Sequence, residues 1–532
     1  MQVAMKAACA LSVLGLILGL SMPVHAESLT VKTEQGKAQG KTINEGKVKA
    51  FLGLPYAAAP VGDLRWKAPQ PAPKWTGQRD ATKFGAHCAQ GQVFEDMVFE
   101  DGAPSEDCLF LNVYSPAGAK PKSKLPVMFW IHGGGYSGGA SSEPRHNGDF
   151  LPLKGVVLVT INYRLGVFGF LATADLAAEA NGAAGNYGLL DMVAALQWTR
   201  ANIKEFGGDP DNVTIFGESA GSFAVSSLMA SPLARGLFHK AIGESGAAFG
   251  DALPTDPLEA REKADGEWVA TLGVKSLAEL RALPTDKILE AAKDKRGGFS
   301  EDIDGKLLTE PVPVTYAAGR QAHVPLLAGW NRDEGSFLAN GMTAEKWKEM
   351  ASGLFGDRAE EFLKLYPGQT DEQAADSAGA YGGDSFIAFG TWKWLEAHRK
   401  TGAPGDRFRS RGWQTGLPPV YRYQFELRAL PSKYHPGTFA FHSDDIEYVF
   451  GTLDTRPGET VRAEDRKLSD QMMDYWTNFA KTGDPNGPGL PPWPRYDQDG
   501  SLIHLDSTIT SGPDTLRPRY EFLLKGMPAF HF

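Results

Sequence analysis

Cysteine is almost absent from this chain, with three residues in 532, at positions 9, 88 and 108. No C-x-x-C and no H-E-x-x-H occurs, so the usual zinc-ligand spacings are missing and no metal is expected. Long apolar runs are equally scarce. The stretch from Ala7 to Leu20 is shorter than the roughly 20 residues a membrane-spanning helix needs, and nothing later is longer. Lys6 precedes that stretch and Val24-His25-Ala26 closes it with a small-x-small site, the pattern of a secretory signal peptide cleaved after Ala26. Cys9 lies ahead of most of the apolar core, not at a cleavage junction, and Gly526 to Phe532 is no anchor, so no stable membrane anchor is expected. Positive charge is in deficit too, 54 Lys and Arg against 64 Asp and Glu. Loss of Lys6 with the leader takes the net charge from −10 to −11. Such acidity argues against nucleic acid or an anionic membrane as partner. A periplasmic or secreted location follows, where Cys88 and Cys108 favour a disulfide. It would close a loop of about 20 residues and contribute on the order of 3 kcal/mol.

What is present is a chain of buried strands alternating with helices. No repeat, heptad array or low-complexity linker interrupts residues 27–532, which read as one large domain. Leu29 to Arg79 alternates short apolar pieces such as Phe51 to Tyr56 with turn residues, suggesting short antiparallel strands and edge loops. Leu109 to Tyr114 is another strand. Pro126 to Ile131 and Val156 to Tyr163 are unbroken apolar runs, as expected of strands buried on both faces. Leu189 to Phe206 carries helical spacing. His239 to Gly243, Pro325 to Trp330 and Tyr421 to Leu427 add further strands. A mostly helical stretch from Pro257 to Lys295, and helices at Thr343 to Leu365, Ser385 to Lys400 and Glu464 to Lys481, complete the pattern. The expectation is an α/β fold: a large, mostly parallel central sheet with helices on both faces and an N-terminal antiparallel portion. The basic, glycine-containing loop from Thr401 to Trp413 reads as a surface excursion rather than a substrate lid.

Chemistry enters at Asn212-Val-Thr-Ile-Phe-Gly-Glu-Ser-Ala-Gly221. A β-branched run ends in Gly-x-Ser-x-Gly and leads into the helix-compatible Ser222 to Ala230, the order of a nucleophile elbow with Ser219 at its tip. The five-residue pattern alone is weak, since Gly135-Tyr-Ser137-Gly-Gly139 matches it as well. Ser137, however, is followed by Gly-Gly-Ala-Ser-Ser-Glu-Pro, which does not start a helix. A serine hydroxyl attacks at neutral pH only when a histidine takes its proton and an acid orients that histidine, and in this fold the chain order is serine, acid, histidine. Downstream histidines are 239, 323, 398, 435, 442, 504 and 531. His442 has the best local setting, at the end of the apolar Phe439-Ala-Phe441, but spacing does not select it. Asp333 and Glu334 follow directly on a strand and are equal candidates for the acid. His132-Gly133-Gly134-Gly135, after the Pro126 strand, suits an oxyanion hole completed by the N–H of Ala220. A phosphate cradle is the other reading of Gly133 to Gly138, but no helix opens at the third glycine.

These segments resemble the type B carboxylesterase and cholinesterase-like family of α/β-hydrolases. Phe206 to Gly221 is similar to the family's serine signature and Glu106-Asp-Cys-Leu-Phe-Leu-Asn-Val-Tyr114 to its second. Phe51 to Pro71, Asn162 to Leu171, Gly185 to Asp191 and Tyr475 to Pro485 are similar to further family blocks, so the resemblance spans nearly the whole mature chain. It implies hydrolysis of a small-molecule carboxylic ester without cofactor, through Ser219, Glu334 and His442, with Gly134, Gly135 and Ala220 as oxyanion donors and Cys88 paired with Cys108. Ser222 stands where many relatives have glycine, which together with the Thr401 loop leaves substrate preference open. Amide or lactone hydrolysis by the same triad is the alternative. A non-catalytic adhesion module, as in members that lost the triad, is disfavoured because every part is kept.

Overall fold

A strand covered on both sides is apolar at most positions. In the computed structural model, which describes residues 29–91, 94–293, 295, 298–401, 417–431, 437–456, 458 and 460–528, the apolar runs lie side by side in one 11-stranded sheet. In chain order its strands are β1 (Lys41–Ile43), β2 (Val48–Pro55), β3 (Phe110–Pro116), β4 (Leu125–Ile131), β5 (Val157–Ile161), β6 (Gly208–Glu218), β7 (Lys240–Glu244), β8 (Leu326–Asn331), β9 (Val420–Phe425), β10 (Ser501–Leu505) and β11 (Thr510–Pro513). Their spatial order is β11-β10-β9-β8-β7-β6-β4-β5-β3-β2-β1. From β10 across to β5 every neighbour is parallel. The N-terminal strands β1, β2 and β3 are antiparallel, as is β11 at the opposite edge.

Alternate residues of each central strand feed two cores. Val127, Phe129 and Ile131 of β4 pack in a cluster with Met192 and Leu196 of helix α1 (Tyr187–Asn202), Phe223 and Leu228 of α2 (Ala220–Ala230), and Trp394 of α3 (Phe389–Thr401). Met128 and Trp130 face the other way, toward Phe450 of α4 (Ile446–Phe450) and Met472, Trp476 and Phe479 of α5 (Ala463–Thr482). Helices therefore cover both faces, and the order of strands brings the ends of β4, β6 and β8 together.

Some elements depart from the sequence-based expectation. The segment 343–365 is two helices, Ala344–Phe355 and Ala359–Leu365, separated by a turn at Gly356–Arg358. The helix Asp371–Gly383 was not anticipated, because its small and polar residues carry no apolar stripe. The strand β10 and the short edge strand β11 were not anticipated. A small N-terminal sheet, Thr30–Lys32, Lys37–Gln39 and Gln78–Asp80, pairs its third strand parallel, not antiparallel. The expected signal peptide (residues 1–26) and the Thr401 loop beyond Thr401 lie outside the described residues. Among the described residues no helix is long and apolar enough to cross a membrane.

Candidate active site

Strand β6 ends at Glu218 and α2 starts at Ala220, so the whole reversal falls on Ser219, with φ 53° and ψ −124°. A positive φ on a residue with a Cβ costs of order 1–3 kcal/mol and persists only when its surroundings enforce it. They do so here. Ser219 donates its N–H to the Glu244 carbonyl and accepts the Phe223 N–H, each at 2.9 Å. The flanking glycines let strand and helix pass close to β4: a Cβ on Gly221 would stand 2.0 Å from the Ile131 carbonyl oxygen, and one on Gly217 would stand 2.6 Å from it. Ser137, in the second match to the pattern, instead donates to the Gly135 carbonyl in a turn.

The structure brings His442 and Glu334 to Ser219. His442 Nε2 lies 2.9 Å from Ser219 Oγ, and its Nδ1 lies 3.3 Å from Glu334 Oε2. Glu334 is itself fixed, its Oε1 accepting the Asn331 N–H at 2.7 Å and the Ser245 hydroxyl at 2.5 Å. Asp333 points the other way, to Arg428 and the Ala440 N–H. The other described downstream histidines stand apart. His239 accepts the Val213 N–H, His398 is buried against the Val324 carbonyl, His323 bonds Gly319 and His504 pairs with Glu426. His435 and His531 lie outside the described residues.

Sequence reasoning missed the carboxylate beside the reactive nitrogen. Glu218 Oε1 lies 3.3 Å from His442 Nε2 and accepts the Ser443 hydroxyl at 2.7 Å. Its place in Gly-Glu-Ser-Ala-Gly was visible, but nothing local signals that it turns inward. Burial pushes Glu218 up to about 7, with His442 pulling back. Burial disfavours the His442 imidazolium, yet Glu218, then Glu334 and Asp445, outweigh it and carry the ring up to about 9. Further back, Asp445 is bound by Tyr423 and Asn331.

The glycine loop presses against the elbow. A Cβ on Gly133 would meet the Glu218 carbonyl at 2.8 Å and the Ser219 Cβ at 3.0 Å, while Gly134 has φ +98° and its carbonyl accepts the N–H groups of Ser137 and Gly138. Among the described residues the N–H groups of Gly134, Gly135 and Ala220 donate to no protein acceptor. Ala220 follows Ser219 directly, and Gly134 and Gly135 line the same cavity as Ser219, of about 490 Å³. Its lining includes the apolar Phe94, Phe223, Leu253 and Phe386 and the charged Arg145 and Arg456, which pair with Glu447 and Asp444 of the same lining. Phe386 sits in a π-helical turn, Asp384–Ala388, and its ring stands 5.2 Å from that of His442. Ser222 does not reach the cavity: it is buried, donating to the Gly246 carbonyl. Cys88 and Cys108 are joined, and Phe94, Met97 and Val98 on the loop they close line the cavity. No group of metal-ligating side chains occurs among the described residues.

Comparison with known proteins gives the family of the chain. A model described as the carboxylesterase family matches residues 27–522. The chain is 35% identical to a fumonisin B1 esterase of Sphingopyxis macrogoltabida over 513 residues, covering 92% of this chain and 90% of that one. It is 35% identical to the para-nitrobenzyl esterase of Bacillus subtilis over 520 residues, covering 93% and 99%. A solved PNB esterase structure superposes with a TM-score of 0.77 at 34% identity, covering 92% of this chain and 99% of that one.

Proposed function

The chain belongs to the carboxylesterase family and is a carboxylic-ester hydrolase, and on that premise we propose that Ser219 is its nucleophile, His442 its general base and acid, and Glu334 the carboxylate that orients His442. The reading is carried by the path from Ser219 Oγ to His442 Nε2 and from Nδ1 to Glu334. With Nδ1–H donating to Glu334, the lone pair of Nε2 faces the serine. As Oγ bonds to the ester carbon, Nε2 takes its proton. The carbonyl oxygen becomes an oxyanion among the N–H groups of Gly134, Gly135 and Ala220, each worth roughly 3 kcal/mol. Support for that hole is that these three N–H groups lack protein acceptors among the described residues, with Gly134 and Gly135 lining the cavity onto which Ser219 opens. Nε2 then protonates the departing alcohol, leaving an acyl-enzyme. Water that gives its proton to His442 attacks the acyl carbon and releases the acid.

Substitution of Ser219 by Ala is expected to lower kcat about a millionfold with unchanged circular dichroism and to abolish organophosphate labelling. Near-normal turnover of p-nitrophenyl acetate by that variant would reject the assignment. The apolar side chains of the cavity lining would take an apolar acyl or alcohol group, which a panel of esters varied in both parts would rank. Residues 27–532 are read as one domain, exported after cleavage behind Ala26, and N-terminal sequencing of the mature protein checks that boundary.

A further inference from the structure

One buried carboxylate close to the site has no part in the mechanism above. Glu301 is fully buried, and among the described residues its partners are two hydroxyl groups: Oε1 accepts the Tyr136 O–H at 2.6 Å and Oε2 the Ser227 O–H at 2.5 Å. Burial pushes its carboxyl up to about 7 against the pull of those two bonds. A packing role alone would be served better by an apolar side chain, because an uncompensated buried carboxylate is costly.

The positions of its two partners give it a purpose. Tyr136 follows Gly135 directly, and Ser227 stands two turns into α2, the helix that begins with Ala220. One side chain thus ties together the loop that carries two of the proposed oxyanion donors and the helix that carries the third. The loop needs such a tie, since consecutive glycines give the backbone its greatest freedom. Tyr136 is the first residue after them with a side chain to anchor. It is fully buried at φ 57°, its ring 4.8 Å from that of Phe170, and its carbonyl accepts the Gly166 N–H at 2.6 Å. Glu301 is held just as firmly from its own side. Asp302–Ile303 pairs with Asp256–Pro257, the Asp302 N–H donates to Asn186 Oδ1 at 3.1 Å, and Ser300 donates to the Pro254 carbonyl at 3.0 Å.

We propose that Glu301 is a positioning residue for the oxyanion hole: by clasping Tyr136 Oη and Ser227 Oγ it sets the spacing between the Gly134 and Gly135 N–H groups and that of Ala220. The proposal rests on the oxyanion assignment made above. Loss of the clasp lets the donors drift without removing any of them. The cost is then below the hundredfold to thousandfold of a missing donor and of the kind seen for small misplacements.

The test compares Tyr136→Phe, Ser227→Ala, Glu301→Leu and Glu301→Gln in the full chain, using p-nitrophenyl butyrate and an aryl trifluoromethyl ketone whose hemiketal oxyanion occupies the hole. Tyr136→Phe is expected to lower kcat about tenfold to a hundredfold at nearly constant KM, and to raise the Ki of the ketone by the same factor. Glu301→Leu should do at least as much, with no further loss when Tyr136→Phe is added. Glu301→Gln, which still accepts from one hydroxyl while donating to the other, should retain most activity. Where Glu301→Leu fails to fold, the two hydroxyl deletions carry the test. Unchanged kcat and Ki in both of them would overturn the proposal, and so would a joint rise of KM and Ki. Titration with an organophosphate keeps the two readings apart, because one equivalent per chain in every variant preserves the nucleophile assignment whatever becomes of the clasp.

Discussion

Replacing Glu218 by Gln removes a negative charge 3.3 Å from the nitrogen proposed to accept the serine proton, while an amide oxygen can still accept the Ser443 hydroxyl. At an effective dielectric of about 20, two unit charges at that distance interact by about 5 kcal/mol, a ceiling of nearly four pK units. The effect is expected to stay below that ceiling, because Glu334 and Asp445 still favour the imidazolium. A downward shift of about 1–2 units is therefore expected for His442 in the variant. The sign is fixed: a nearby anion raises an imidazole, so its removal lowers it from about 9. General-base catalysis requires neutral His442, and kcat/KM rises with pH as the ring loses its proton in the free enzyme. The ascending limb of the variant should therefore lie about 1–2 pH units below that of the wild type. The assay is kcat/KM for p-nitrophenyl butyrate across pH at fixed ionic strength, corrected for spontaneous hydrolysis. An unmoved midpoint, or one moved upward, would refute the electrostatic argument even if the rate falls.

Three further outcomes are expected. Gly134→Ala places a Cβ 2.2 Å from the Gly138 carbonyl oxygen at φ +98°, so kcat should fall about a hundredfold to a thousandfold, as for a lost oxyanion donor, with unchanged kcat speaking against the hole. Burial pushes Glu447 up, but Arg145 and then Arg456 outweigh it and hold the carboxyl at about 2, below its ordinary 4.5. Its folded-state pKa is depressed, so its stabilisation is present above pH 4.5 and lost as pH falls toward 2. Glu447→Gln should therefore lower stability at neutral pH and flatten the dependence of the urea midpoint across that window, whereas parallel curves would contradict the reading. Replacing Cys88 and Cys108 together by Ser should cost about 3 kcal/mol and raise KM, since Phe94, Met97 and Val98 lie on the closed loop. Unchanged Tm and KM would deny that the crosslink shapes the cavity wall.

The central strands were legible because burial on both faces leaves runs that are mostly apolar, as in Val127 to Ile131. The elbow was legible because a strand, a forced turn and a helix each leave a mark in neighbouring residues. Partners delivered from distant strands leave none. Asp333 and Glu334 are indistinguishable by chemistry, and only the packing that turns one toward Arg428 and the other toward His442 separates them. Family resemblance supplied what spacing withheld. Glu218 and Glu301 stayed hidden for the same reason: a carboxylate in a sequence reads as solvated until the fold shows that it is enclosed. Ser222 shows the reverse, a residue singled out for its neighbourhood in sequence that points beneath the elbow rather than into the cavity.

Ser219 and His442 are separated by 223 positions in the chain. At synthesis rates of 5–20 residues per second, about 11–45 seconds pass between the appearance of one and of the other. Throughout that interval the growing chain holds the proposed nucleophile without its proposed base. On the proposed roles, the order of the chain itself sets the moment at which the nucleophile can first meet its base.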